Sequence, residues 1–245
     1  MEMVGVQAHR GDATDDALLK QEIFGKSPLA ELAGESRRTL VGLAAIRLLP
    51  RRSIVATQGE PPQSFLLVDS GRVKLERRRG ERALQLGHRG PGQMVGEMSL
   101  GISPNAMESA SVLDDVAALA IPIEALRRQL SVDAPLRAVL AAAIIRQQCD
   151  LERRIEALLL HGVEVRLAAF LLDAVTRWGK PHEAGEMITA PFTHAEIALL
   201  IGSTRETVTL VLGKLKREGL LAFDGRRIVL RDRAGLERRA SSSGG

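Results

Sequence analysis

The sequence predicts an α+β fold in three successive parts: an antiparallel β-roll, one long helix, and a small helical domain closed by a hairpin. Three observations predict it. Between about Ile54 and Pro122 the chain runs as short apolar stretches separated by glycines and turn residues. From Val132 to His161 it has no internal glycine and repeats apolar residues at helical spacing. Beyond Phe192, two helix-start signatures stand ten residues apart across an Ile201-Gly202 break.

Residues 1–16 are polar and are expected to be disordered. Acids and the lack of an apolar core there argue against a signal peptide. Helical patterns follow at Leu18–Leu32 and Ser36–Leu48, opening a roll assigned to 17–131. Its strands are read at Ser64–Val68, Val73–Leu75, Ala83–Leu86 and Val116–Ile121. The turns are read at Asp69-Ser-Gly71, Arg79-Gly80 and Gly90-Pro-Gly92. Short strands at such spacing predict a jelly-roll-like antiparallel roll, a double-stranded β-helix.

The long helix is assigned to 132–161, with Pro135 in its first turn, where proline is tolerated. Leu140, Ile144, Gln147, Leu151, Ile155 and Leu158 recur at three- and four-residue steps. That narrow stripe predicts a parallel dimer seam in which Gln147 is the one polar, register-setting position. The competing reading is a helix packed on its own domain. A further amphipathic helix is expected at 163–178, ended by Gly179 and Pro181.

The stretch Phe192–Leu215 carries the most specific pattern, and it reads as a helix-turn-helix within a domain at 162–236. Thr193-His-Ala-Glu196 and Ser203-Thr-Arg-Glu206 both have capping-box form. Gly202 suits the left-handed backbone of the intervening turn. Val208, Val211, Leu212 and Leu215 form an inward stripe on the second helix, about 204–217. Thr204, Arg205, Glu206, Thr209 and Leu210 then face outward, where side chains reach base edges if this helix enters a major groove. Asp224-Gly225, between Leu220–Phe223 and Arg226–Leu230, predicts a hairpin wing. The domain is therefore a winged helix-turn-helix. Thr193, His194, Ser203, Lys214, Arg226 and Arg227 join the five outward residues as candidate DNA contacts. Residues 237–245 read as a flexible tail.

Charge supports this placement. The net charge is +4, yet from Ile201 to Gly245 ten basic residues stand against five acids. Such an excess is the electrostatic footprint of a phosphate-binding surface. With five Phe, one Trp and no Tyr, stacking on aromatic platforms is not the expected binding mode. One cysteine, Cys149, excludes an internal disulfide and a cysteine-held iron–sulfur cluster. The five histidines are scattered, with no metal-ligand spacing and no nucleophile elbow, so neither an enzyme nor a metal site is expected. No stretch reaches the roughly 18 to 20 apolar residues of a membrane span. The chain is expected in the cytoplasm, without membrane contact.

From about Phe24 to Leu230 the sequence resembles the Crp/Fnr superfamily. The resemblance is carried by Gly59–Val73, Gly96-Glu-Met-Ser-Leu100 and Ile201–Val208. It implies a cyclic-nucleotide-binding-like roll, a homodimer, a palindromic double-stranded DNA site and RNA polymerase as a further partner. Arg205 and Glu206 match two base-reading positions of the family; the third, commonly arginine, is Leu210. Leucine offers a thymine methyl contact instead, so the half-site is expected to depart from TGTGA there.

The resemblance also locates an effector pocket at Gly96, Glu97, Met98, Ser99, Glu108, Ser109, Ala110, Leu151 and Glu152. Glu97 matches the ribose-binding glutamate of cyclic-AMP-binding members. Glu108 stands where those members have the phosphate-binding arginine, and Leu151-Glu152 where they have a Thr-Ser pair. An anion in place of that cation costs on the order of several kcal/mol beside a phosphate. Weak or absent cyclic AMP binding follows. No cofactor is implied; cyclic di-GMP and 2-oxoglutarate are the alternative effectors. The nitrogen-control branch, similar over Ile201–Val208, senses 2-oxoglutarate, but no cationic pair for a dicarboxylate is evident. His88 reads as a surface histidine rather than a haem ligand. The alternative of another class is a signalling module whose winged helix contacts protein.

Overall fold

The computed structural model describes residues 13–101 and 103–241. They form two compact units, up to Gln147 and from Gln148 onward.

The first unit opens with α1 (Ala13–Gly25) and α2 (Gly34–Leu43), followed by β1 (Ala45–Leu49) and β2 (Ile54–Ala56). Next come β3 (Ser64–Arg79), β4 (Arg82–Arg89), β5 (Met94–Val95) and a 3₁₀ turn at Glu97–Leu100. β6 (Ser109–Pro122), α3 (Ile123–Val132) and α4 (Ala134–Leu160) complete the series. The strands pair antiparallel in the order β1-β6-β3-β4, with β2 on β6 and β5 on β3.

The central strands are buried on both faces. Phe65 and Leu67 of β3 join Leu119 and Ile121 of β6 in a core shared with Phe24, Leu29, Leu40, Leu126 and Leu136 from the helices. Leu66, Val68, Ala118 and Ala120 point to the opposite side, into a second core with Val73, Leu75 and Val112. A strand with two apolar environments needs apolar residues at consecutive positions, which explains the unbroken Phe65–Val68 run.

Several sequence expectations are corrected here. Asp69-Ser-Gly71 does not end a strand; β3 continues through it with shifts in register against β6. Gly71 has φ +79°, and a Cβ there would overlap the Asp115 carbonyl oxygen, so only glycine admits this irregularity. The helix expected at Ser36–Leu48 stops at Leu43, because Ala45–Leu49 forms ladder bonds with Val116–Ala120. The first helical pattern ends at Gly25, where Ser27 Oγ donates to the Phe24 carbonyl and Pro28 prevents continuation. Residues 13–16 belong to α1 rather than to a disordered segment, and residues 1–12 lie outside the described residues. Val132 closes α3 instead of opening the long helix. Asp133 separates the two helices: its Oδ1 accepts from the Leu136 N–H at 2.9 Å and from Ser36 Oγ at 2.9 Å.

The second unit holds the last turns of α4 and then α5 (Val163–Trp178), which has the bounds read from the sequence. β7 (Gly179–His182), β8 (Gly185–Ile188), α6 (His194–Ile201) and α7 (Arg205–Arg217) follow. The unit ends with β9 (Leu221–Asp224), β10 (Arg227–Leu230) and α8 (Arg233–Ser241). Its sheet has the order β7-β8-β10-β9, so the wing hairpin gains a second hairpin that the sequence pattern did not show. The core gathers Leu167, Leu171, Val175 and Trp178 of α5 around Ile197, Val208, Leu212 and Leu215. Phe192 packs edge-on against Phe170 and Trp178, with centroids 5.2 and 5.3 Å away.

Residues 237–241, expected in a flexible tail, extend α8; 242–245 lie outside the described residues. Asp232 Oδ1 accepts from the Gly235 N–H at 2.9 Å, and Leu236 is fully buried. Arg239 pairs with Glu164 and Glu218, which ties this polar helix down. No helix among the described residues is long and apolar enough to cross a membrane.

Candidate nucleic-acid interface and effector pocket

The helix-turn-helix starts from a reciprocal cap. Thr193 Oγ1 accepts from the Glu196 N–H at 3.2 Å, while the Thr193 N–H donates to Glu196 Oε2 at 2.8 Å. Gly202 ends α6 with φ +63°, and a Cβ there would meet a Leu158 methyl 2.5 Å away. The next helix departs from expectation. Thr204, not Ser203, is its cap, with Thr204 Oγ1 accepting from the Thr207 N–H at 3.2 Å. Both residues can cap, but this choice shifts the helix start by one and removes Glu206 from the capping position. Ser203 is half-buried instead.

Val208, Leu212 and Leu215 point inward, with Val211 half-buried beside them. Thr204, Arg205, Glu206, Thr209 and Leu210 are exposed on one end of α7, and Leu210 is 73% exposed. Among the described residues, the side chains of Arg205 and Glu206 hold no ion pair. His194 Nδ1 lies 2.8 Å from Thr209 Oγ1, which donates to the Arg205 carbonyl at 2.8 Å. That chain fixes α6 against the reading end of α7.

Two expected phosphate contacts are engaged elsewhere. Lys214 pairs with Glu164 of α5 at 2.6 Å, and Arg227 donates to the Thr189 carbonyl. The hydrogen bond from Lys214, helped by Arg239, holds the Glu164 carboxyl below the usual carboxylate range. Arg226 is exposed at the wing tip, beside Gly225 with φ +55°.

Arg166, which no local pattern singles out, proves central to the motif. Its Nε donates to the Ile201 carbonyl at 2.8 Å and its Nη2 to the Gly202 carbonyl at 3.0 Å. Its Nη1 donates to the His161 carbonyl at 2.6 Å. These bonds satisfy the carbonyls that the α6 C-terminus leaves open. Arg166→Ala is expected to lower stability by about 1–3 kcal/mol. Binding to any DNA sequence should weaken with base preference intact, as checked by chemical unfolding and by competition with mismatched duplexes.

In the first unit the expected pocket residues Gly96, Glu97, Met98 and Ser99 lie at the 3₁₀ turn and its cap, and Glu108, Ser109 and Ala110 lie where the chain enters β6. Gly96 has φ +99° and passes close to the Ser64 carbonyl. Glu97 is only 5% exposed. Its Oε1 accepts from Gln147 Nε2 and lies 3.8 Å from Arg89 Nη2. Glu108 Oε2 lies 3.7 Å from Arg77 Nη2. Burial, then the charge of Glu97, raises the Glu108 carboxyl above its ordinary range, opposed by Arg89 and Arg77. Among the described residues, Arg77 Nε is buried without a hydrogen-bond partner.

The sequence reading found no cationic pair; the structure places Arg77 and Arg89 beside the two carboxylates. It also buries His88, which is 6% exposed and has Nε2 2.8 Å from Gln85 Nε2, so the surface reading is corrected. The register of β3 on β4 brings these residues together, and local spacing carries no trace of it. Leu151 and Glu152 lie on the α4 segment of the second unit, where both are exposed.

The seam residues divide as well. Leu140 is 5% exposed within the core of the first unit, and Gln147 is bonded to Glu97. Neither is a free seam position, because the buried Leu136-Leu140-Ala143 stripe faces the roll's own core. Ile144, Leu151, Ile155 and Leu158 stay 36–50% exposed.

Two family models match the chain: a cyclic nucleotide-binding domain over 46–133 and a Crp-like helix-turn-helix domain over 165–239. The cyclic AMP receptor protein of Thermus thermophilus is 33% identical over 195 residues, covering 78% of this chain and 86% of that protein. The crystal structure of a CRP/FNR-family transcriptional regulator from the same organism is 30% identical. It superimposes with a TM-score of 0.66 over 81% of this chain and all of that one. The c-di-GMP responsive global regulator of Xanthomonas campestris is 27% identical, with a TM-score of 0.63 over 80% of this chain and 98% of that one.

Proposed function

Because this chain belongs to the Crp/Fnr family of DNA-binding transcription regulators, we propose that it acts as a homodimer on a palindromic site and is not activated by cyclic AMP at neutral pH. The observation that carries the DNA reading is the exposed Thr204–Arg205–Glu206–Thr209–Leu210 face, which opens on the Thr204 cap. Arginine binds guanine O6 and N7 bidentately, glutamate accepts from cytosine N4, and Leu210 packs on a thymine methyl. Two such helices would enter successive major grooves about one turn apart, and Arg226 would contact phosphate from the wing.

The exposed Ile144, Leu151, Ile155 and Leu158 supply the apolar stripe for a second copy along α4. RNA polymerase is the further partner that a regulator of this kind needs. Glu108 supports the exclusion of cyclic AMP: at neutral pH its carboxylate would face the phosphate.

The test is fluorescence anisotropy of the purified chain on a randomised palindromic duplex pool at two salt concentrations, with and without cyclic AMP. Selective, salt-dependent binding that cyclic AMP leaves unchanged at pH 7.5 is the expected result. Absence of DNA binding would point to a protein-contact module instead, and a large gain on adding cyclic AMP would overturn the role given to Glu108.

A further inference from the structure

We propose that the roll accepts a phosphodiester monoanion only together with a proton, which the Glu108 carboxylate takes up. The inference rests on the regulator reading above and concerns the control of its effector pocket.

Four charged side chains meet in this part of the roll. Glu108 comes from the residue just before β6 and Glu97 from the 3₁₀ turn. Arg77 comes from β3 and Arg89 from β4. These are the charged groups that face Glu108. The neutral amide of Gln147, from α4, sits on Glu97, and the neighbouring His88 is turned to Gln85. Two carboxylates against two guanidinium groups make the cluster neutral as it stands.

A monoanionic phosphate entering this neutral cluster leaves one negative charge uncompensated in a partly buried place, which is strongly unfavourable. A proton on one carboxylate restores the balance. The two carboxylates are not equivalent. Glu97 is engaged by the Gln147 amide, which donates to its Oε1. Glu108 has no such bond among its contacts; burial and the charge of Glu97 favour its neutral form. The Arg77 guanidinium is loosely held: its Nη2 lies 3.7 Å from the Glu108 carboxylate, and among the described residues its buried Nε has no hydrogen-bond partner. Neutralising Glu108 frees Arg77 to donate to an anionic oxygen.

The direction of the pH effect follows. Where Glu108 is ionised in the free protein, binding consumes one proton, and affinity rises up to about tenfold for each unit by which pH falls. Once pH lies below its value in the free protein, the dependence levels off. At neutral pH the pocket therefore rejects the ligand, and acidification opens it.

Isothermal titration calorimetry of the full chain with cyclic AMP, at pH 7.5 and 5.5 in buffers of different ionisation enthalpy, tests this. At least tenfold tighter binding at pH 5.5 is expected, with about one proton taken up per ligand. Glu108→Gln, nearly isosteric and permanently neutral, should bind equally at both pH values without proton uptake, with a thermal melt like that of the parent chain. Failure of both proteins to bind at either pH would overturn the proposal. So would binding without proton uptake, or a pH dependence that survives in E108Q. DNA binding by the same preparations keeps the two readings apart: intact DNA binding with failed calorimetry sinks only the proton-coupled pocket.

Discussion

Arg205→Ala is expected to weaken binding to the preferred palindrome by roughly 10- to 100-fold per half-site, equivalent to about 1–3 kcal/mol. Binding to unrelated duplexes should change far less. The reason lies in how the side chain is held. Arg205 opens α7 immediately after the Thr204 cap, is exposed, and holds no carboxylate partner among the described residues. Its removal costs the fold nothing identifiable, since the cap is made by Thr204 Oγ1 and the backbone of Thr207. The bidentate contact with guanine is therefore what the substitution deletes. Anisotropy titrations on the selected site, on variants at each base pair and on random duplex check it. A uniform loss across all sequences would show that Arg205 contacts phosphate rather than a base.

Leu212→Ala should have the largest effect on stability, a loss of about 2–5 kcal/mol from the second unit. Leu212 lies on the inward stripe of α7, 1% exposed, between Val208 and Leu215. Its truncation leaves a cavity beneath the reading face itself. The single tryptophan, Trp178, belongs to the same core, so its fluorescence reports the unfolding of this unit directly. A fall in the melting midpoint on the order of 10 °C or more is expected for a unit of this size. A midpoint within a degree or two of the parent would mean that α7 does not depend on that core.

Much of this architecture is legible in the sequence, and the residues explain why. α5 has the bounds that its amphipathic period and the following glycine indicate. The Thr193-His-Ala-Glu196 cap and the Gly202 turn form as written, because each depends on a handful of adjacent residues. Failures fall where two local signals compete or where the cause is distant. Ser203 and Thr204 are both good caps, and only packing decides between them. β7 and β8 are four residues each, and the first is polar and contains a proline, so neither has a strand pattern. α8 looks like a tail because its burial rests on Leu236 and its charges find partners on other elements. The candidate pocket was only half visible. Glu97 and Glu108 could be named only through the resemblance of the stretches around them to the family. Arg77, Arg89 and Gln147 reach them through strand register and helix packing, which no window of sequence contains.

The internal engagement of basic side chains limits how many counterions DNA binding can release. Between Ile201 and Gly245, Lys214, Arg233, Arg238 and Arg239 are paired with carboxylates, and Arg227 is bonded to a carbonyl. Among the described residues, Arg205, Lys216, Arg217, Arg226 and Arg231 carry no carboxylate or carbonyl partner on their side chains. Each phosphate neutralised contributes about 0.9 to the slope of log affinity against log salt concentration. These five cations thus bound the segment's share of that slope at half of what its composition suggests. The affinity this segment confers is correspondingly less vulnerable to rising ionic strength than a count of arginines and lysines would indicate.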